Sequence, residues 1–325
     1  MKLWEKLQSV ILLASALTGL ALGRFPAAGK ADALISPLLM CMLFGLFLGI
    51  PLADLKKGFS DRRFALTSLA INFIWIPVFG WLLGGFFLSD HPALRLGFIM
   101  LLVTPCTDWY LVFTAIARGN VPLSASILPL NLIVQVALLP VYLFLFAGLT
   151  GSVDLKLLLQ SVVMVLVLPF GAAQAVRRLW PDENQAARIW LDRIFSQGQF
   201  AFLCLAIITM FASQAGYLTG HLEAVFLLLK PVLLFFALNF VIVRLLAAAM
   251  NFTFPDSVSL SLTTLARNSP IALAIAVTAF PNEPMAALAL VIGPLIELPV
   301  LGLVAQILLF ISPEKNKTAL LNKNP

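Results

Sequence analysis

Thr104-Pro105-Cys106-Thr107-Asp108-Trp109-Tyr110 lies in the middle of an apolar segment running from about Leu94 to Ala117. Proline lacks a backbone donor and clashes with the preceding turn, so Pro105 is expected to break that helix near its midpoint. A thiol, a carboxylate and hydroxyls follow where a membrane helix would carry leucine. Inside a bilayer, freed carbonyls and ionisable side chains persist only where they face protein or a water-filled cavity, and there they mark a substrate or ion pathway. The stretch reads as half of such a site. The other half has to come from elsewhere in the chain.

Composition sets the surroundings. Of 325 residues, 61% are hydrophobic and only 11% charged, and the mean hydropathy is +1.01. Those values describe an all-α polytopic membrane protein in a lipid bilayer, not a soluble domain. The formal net charge of +6 comes from basic residues in short loops between apolar segments, so no nucleic-acid partner is expected. Cys41, Cys106 and Cys204 all fall within apolar segments, which argues against a disulfide framework. His91 and His221 stand apart in expected loops, and no metal cluster, phosphate loop or nucleophile–base pair can be assembled. An enzyme is therefore not expected, and neither is a cofactor or a bound metal.

Apolar stretches long enough to span a membrane are expected at about 8–23, 33–52, 64–88, 94–117, 121–148, 155–176, 194–215, 223–249, 257–280 and 285–311. The first is read as a retained helix rather than a cleaved leader, because Lys and Arg then sort by side. On that count 15 lie on one side, Arg24, Lys30, Arg95 and Lys156 on the other, and Lys230 and Arg267 within spans. The bias places both termini in the cytoplasm of a plasma (inner) membrane protein. Lys230 is expected to snorkel outward. The pairs Gly19/Gly23, Gly45/Gly49 and Gly80/Gly84 are read as helix-packing positions.

Two proline pairs then locate the missing half. Pro105 and Pro270 are 165 residues apart, as are Pro129 and Pro294, each pair in corresponding spans. Five spans per repeat is odd, so the second repeat must be inverted relative to the first. The expected architecture is ten helices in two inverted repeats, 1–150 and 151–325, the second ending in a short basic tail. The fourth and ninth helices are broken and cross at the midplane. The facing segment is Arg267-Asn268-Ser269-Pro270.

The candidate substrate- or ion-binding residues are thus Cys106, Thr107, Asp108, Arg267, Asn268, Ser269 and Glu297, with Pro105 and Pro270 as helix breakers. An isolated charge at bilayer depth costs at least ~2.5–3.5 kcal/mol, so Asp108 and Arg267 are expected to pair. Cys106 is either a buried small hydrophobe or, beside a helix break, a soft ligand for a thiophilic element. Glu297, between Pro294 and Pro299, is either a proton carrier or an acceptor for donors freed in its own kinked helix. Asn72, Asn131, Gln135 and Asn239 are read as interhelical hydrogen-bonding residues.

A resemblance follows from these motifs. Pro105-Cys106, the run Ala117-Arg118-Gly119-Asn120-Val121-Pro122-Leu123-Ser124, the run Ala272–Val277 and Gly293-Pro294-Leu295-Ile296-Glu297-Leu298-Pro299-Val300 resemble the bile acid/arsenite permease superfamily over nearly the whole chain. Within it, the arsenite-efflux family is the most similar. The resemblance implies ten helices in two inverted repeats and export of arsenite or antimonite by exchange with protons, with Cys106 in the place of the family's metalloid-binding cysteine. Related sodium-coupled carriers of bile acids imply an alternative: proton- or sodium-coupled transport of a small organic anion, with Arg267 binding its carboxylate. Two departures bear on coupling. Ala272 stands where the exporters carry a ninth-helix glutamate, and Thr263 where sodium-coupled relatives carry one. A fixed cation, Arg267, could then stand in for sodium, and Asp108, not the usual residue there, could supply the titrating carboxylate. The expected partners are a small-molecule or metalloid substrate and a coupling ion, with proton favoured over sodium. The oligomeric state stays open.

Overall fold

The computed structural model describes residues 3–25, 31–48, 61–106, 109–147, 160, 163–179, 194–195, 198–213, 215 and 222–312. Among these residues the regular structure is helix throughout, apart from one isolated antiparallel β-bridge. In chain order the helices are α1 (Leu3–Leu22), α2 (Asp32–Leu48), α3 (Arg62–Phe87), α4 (Pro92–Leu102), α5 (Trp109–Ile116), α6 (Val121–Ala147), α7 (Leu168–Leu179), α8 (Gln199–Ser213), α9 (Leu222–Ala249), α10 (Phe254–Leu265), α11 (Ser269–Ala279) and α12 (Pro284–Phe310). Each of the ten expected apolar stretches carries helix, and the fourth and ninth carry two pieces each.

Four of these segments are long and apolar enough to cross a membrane: α3, residues Val121–Leu145 of α6, Phe226–Ala249 of α9, and α12. The chain is a multi-pass membrane protein. Its outer face carries large apolar side chains such as Phe86, Phe226 and Phe310, each at least 70% exposed. In water such a surface would be a liability; against lipid it is the expected one.

Proline mostly starts helices here rather than ending them. Pro92, Pro255 and Pro284 all sit in the first turn of their helices, where a missing N–H leaves nothing unsatisfied. Side-chain caps complete other starts: Asp61 accepts from Phe64 N at 2.9 Å, and Thr253 Oγ1 from Asp256 N at 3.3 Å. The order short helix, break, short helix, long helix occurs twice, as α4–α5–α6 and α10–α11–α12. Both long members have 27 residues and internal prolines: Pro129 and Pro140 in α6, Pro294 and Pro299 in α12.

Close packing depends on small residues. A β-carbon on Gly19 would lie 2.6 Å from Ile208 O, and one on Gly23 would overlap Ala215, so this pair lets α1 lie directly on α8, as expected. Gly49 lies outside the described residues. The tightest contact near the centre is Gly97 in α4, where a β-carbon would overlap the carbonyl oxygen of Ala286 in α12 and sit 2.8 Å from Ala289 Cβ. Backbone cannot give way as a side chain can. Gly97→Val is expected to destabilise the protein by at least ~1–3 kcal/mol, read as a lower melting temperature in detergent. An unchanged melting temperature would show that α4 and α12 separate more easily than this.

Candidate functional site

The site is built where the two interrupted helices meet. α4 stops at Leu102 and α10 at Leu265, and the unwound residues Val103–Cys106 and Ala266–Asn268 run antiparallel, with Pro105 opposite Arg267. Cys106 N donates to Ala266 O at 3.0 Å, and Asn268 N donates to Thr104 O at 2.6 Å. The Pro105–Arg267 pair thus sits at the non-hydrogen-bonded position of a two-strand ladder, where neither N–H is used between the strands. Proline fits because nothing is asked of its nitrogen. The N–H of Arg267 is left to point elsewhere, and Glu297 Oε1 of α12 accepts it at 2.7 Å.

The ends of the flanking helices are finished locally. Thr104 Oγ1 donates to Met100 O and Leu101 O, each at 3.0 Å. Asn268 caps α11 by accepting from Ile271 N at 3.3 Å, and Pro270 follows in the first turn of that helix. The ninth-span interruption therefore lies at Ala266–Asn268, just ahead of Pro270, and Pro270 opens the second half-helix.

Arg267 is 3% exposed and donates in four directions. Nε reaches Leu265 O at 3.2 Å and Nη1 reaches Leu102 O at 2.8 Å. Nη2 is shared between Thr264 O at 2.6 Å and Asn72 Oδ1 at 2.9 Å. Its guanidinium carbon lies 5.8 Å from the ring centroid of Phe235. Three of the four oxygens are carbonyls at the C-terminal ends of α4 and α10, where helix dipoles put partial negative charge. One cation thus closes two helix ends that face each other across the crossing.

Asn72 reaches it from a π turn, Ile71–Trp75, within α3. Widening one turn rotates the register, and such turns recur at functional positions. Asn239 ties the same region together: Trp75 Nε1 donates to its Oδ1 at 3.2 Å and its Nδ2 donates to Thr264 O at 3.0 Å. Both asparagines make the interhelical bonds expected of them.

Comparison with known proteins shows the family. The model of the Sodium Bile acid symporter family matches residues 36–221, more than half of the chain. The chain belongs to that family. It is similar to the arsenical-resistance protein Acr3 of Corynebacterium glutamicum, 27% identical over 80% of this chain and 73% of the relative. An uncharacterized transporter of Synechocystis is 23% identical over 94% of this chain and 88% of its own. An uncharacterized protein of Bacillus subtilis is 25% identical over 75% and 80%. This member of the symporter family is a membrane transporter, not an enzyme, and its substrate is a small molecule or ion.

Other expectations meet mixed outcomes. Cys106 is 4% exposed and stands on the crossing itself, its backbone N–H bonded to Ala266 O. Thr107 and Asp108 lie outside the described residues, and the expected Asp108–Arg267 pair with them. Glu297 accepts from a donor across the crossing, the Arg267 N–H that the bridge geometry frees. Asn131 and Gln135 need correction as interhelical bonding residues. Both are at most 1% exposed, yet none of their amide atoms has a partner among the described residues. Thr263 Oγ1 and Ser269 Oγ share that condition. Buried polar atoms without partners are uncommon in folded proteins. Among the described residues, no group of three or more His, Cys, Asp or Glu could hold a metal ion.

Proposed function

We propose that this transporter exports trivalent arsenic or antimony, as neutral arsenous or antimonous acid, in exchange for protons across the plasma membrane. The carrier is a ten-helix arrangement of two inverted repeats, 1–150 and 151–325, with both termini cytoplasmic. Support for the inversion comes from the antiparallel run of the two interruptions and from the recurrence of the α4–α5–α6 order in α10–α11–α12.

The observation that carries the substrate assignment is the place of Cys106: a buried thiol at the point where both interrupted helices touch. Arsenous acid entering from the cytoplasm exchanges one hydroxyl for the Cys106 sulfur, and the thiol proton leaves with that hydroxyl as water. One sulfur holds the metalloid more weakly than a full thiolate set, which favours release on the far side. The similarity to an arsenical-resistance protein points the same way. Asn268 and Ser269, at the start of the facing half-helix, and Thr107, next to Cys106 in the sequence, are assigned to the substrate with it. Protonation of Asp108 or Glu297 from outside resets the carrier; at Glu297 it weakens the acceptor for the Arg267 N–H and so loosens the crossing while the repeats rock.

The alternative, proton- or sodium-coupled transport of a small organic anion held by Arg267, has less support. That guanidinium already donates to four protein oxygens, leaving little of its fork for a carboxylate. Everted vesicles with an imposed proton gradient decide between the two. Wild-type vesicles are expected to accumulate arsenite, and Cys106→Ser vesicles to lose at least ~90% of the gradient-driven uptake. No uptake by correctly inserted wild-type protein would reject the metalloid reading in favour of organic anions.

A further inference from the structure

Transport sites made from interrupted helices hold their coupling cations on freed carbonyl oxygens and on helix C-terminal ends. The crossing of α4 and α10 has such a set: the carbonyls of Leu102, Thr264 and Leu265 and the amide oxygen of Asn72, all accepting from one guanidinium. A free cation drawn there would find hard oxygen donors and two negative helix ends. The guanidinium of Arg267 is already there, within 2.6–3.2 Å of each oxygen.

We propose that Arg267 is a tethered cation that permanently occupies a coupling-ion site, so the carrier neither binds nor requires sodium. The positive charge is part of the chain and cannot be exchanged between the two sides of the membrane. It still does what an ion would do mechanically: it holds the C-terminal ends of two half-helices together. The energy for transport must then come from another ion, which is why this inference deepens the proton-exchange reading above and rests on the transporter reading. It says nothing about the substrate. Shortening the side chain should uncover a site that takes a small free cation.

The test uses the purified full chain in detergent and reads thermal stability, a measurement independent of arsenite. Sodium chloride, guanidinium chloride and choline chloride are each added at ~50 mM and equal ionic strength. Wild-type protein is expected to show no stabilisation by sodium over choline. Arg267→Ala is expected to melt lower and to regain at least ~2 °C with guanidinium or sodium but not with choline, because a ligand that binds only the folded state stabilises it by mass action. A sodium-specific rise in wild-type melting temperature overturns the proposal, and that arm stands even where Arg267→Ala does not fold. A folded Arg267→Ala protein that responds to neither small cation overturns it as well. Cation rescue of the variant together with absent arsenite transport by wild type would remove the substrate assignment and leave the tethered cation intact.

Discussion

Arg267→Leu is expected to destabilise the folded transporter by about 3–5 kcal/mol, the range for removing one member of a buried charge arrangement. The leucine side chain supplies comparable bulk but no donor. Leu102 O, Thr264 O and Asn72 Oδ1 lose a charge-assisted hydrogen bond each, and Leu265 O loses a weaker one. Two helix C-terminal ends are left facing each other with no positive charge between them, and the nearby Glu297 carboxylate loses its counter-charge. Water entering the crossing can recover part of this, which is why the cost stays below the sum of the separate bonds. Arg267→Lys should fall between: it keeps the charge, but an ammonium on a flexible stem has no planar fork to reach four separated oxygens at once. Melting curves in detergent check the order wild type, then lysine, then leucine. A leucine variant as stable as wild type would mean that the guanidinium bonds contribute no net stability, the outcome known for some buried ion arrangements.

The arrangement that makes Arg267 central was only partly legible in the sequence. The helices were, because uninterrupted apolar runs have few alternatives in a bilayer. So were the interruptions near Pro105 and Arg267, since a proline or a charge inside such a run has to be accommodated somewhere. What sequence does not reveal is which way a freed N–H points. Glu297 looked equally suited to its own kinked helix, and only the non-hydrogen-bonded pairing of Pro105 with Arg267 sends that donor toward α12. The partner of Asn72 was hidden for a different reason. Its aim at the guanidinium depends on a π turn at Ile71–Trp75, and nothing in that apolar stretch announces one wide turn among regular ones. Asn131 and Gln135, one turn apart, resembled a pair of interhelical bonds, yet the structure leaves both amides without partners among the described residues.

Two substitutions at Glu297 are expected to separate its structural work from its charge. Glu297→Leu removes the acceptor 2.7 Å from Arg267 N, leaves that buried donor unpaired and leaves the guanidinium without its carboxylate neighbour. The expected loss is about 3–5 kcal/mol, comparable to Arg267→Leu. Glu297→Gln keeps an oxygen able to accept the same N–H and removes only the charge, so it should cost about 1–2 kcal/mol, the difference between a charge-assisted and a neutral bond. Its effect on transport is expected to be larger than its effect on stability. A glutamine cannot take up and release a proton, so if Glu297 is the group that resets the carrier, the variant folds but stops responding to the proton gradient. If Asp108 performs that step instead, the glutamine variant keeps its gradient dependence while Asp108→Asn loses it. Combining Arg267→Leu with Glu297→Gln gives the sharper reading. Two residues acting through one buried charge balance should lose less together than the sum of their separate losses, because the second change removes a charge that the first has already stranded. Strict additivity would mean that the Glu297 carboxylate serves the Arg267 backbone alone and that the guanidinium is held by its four oxygens without it.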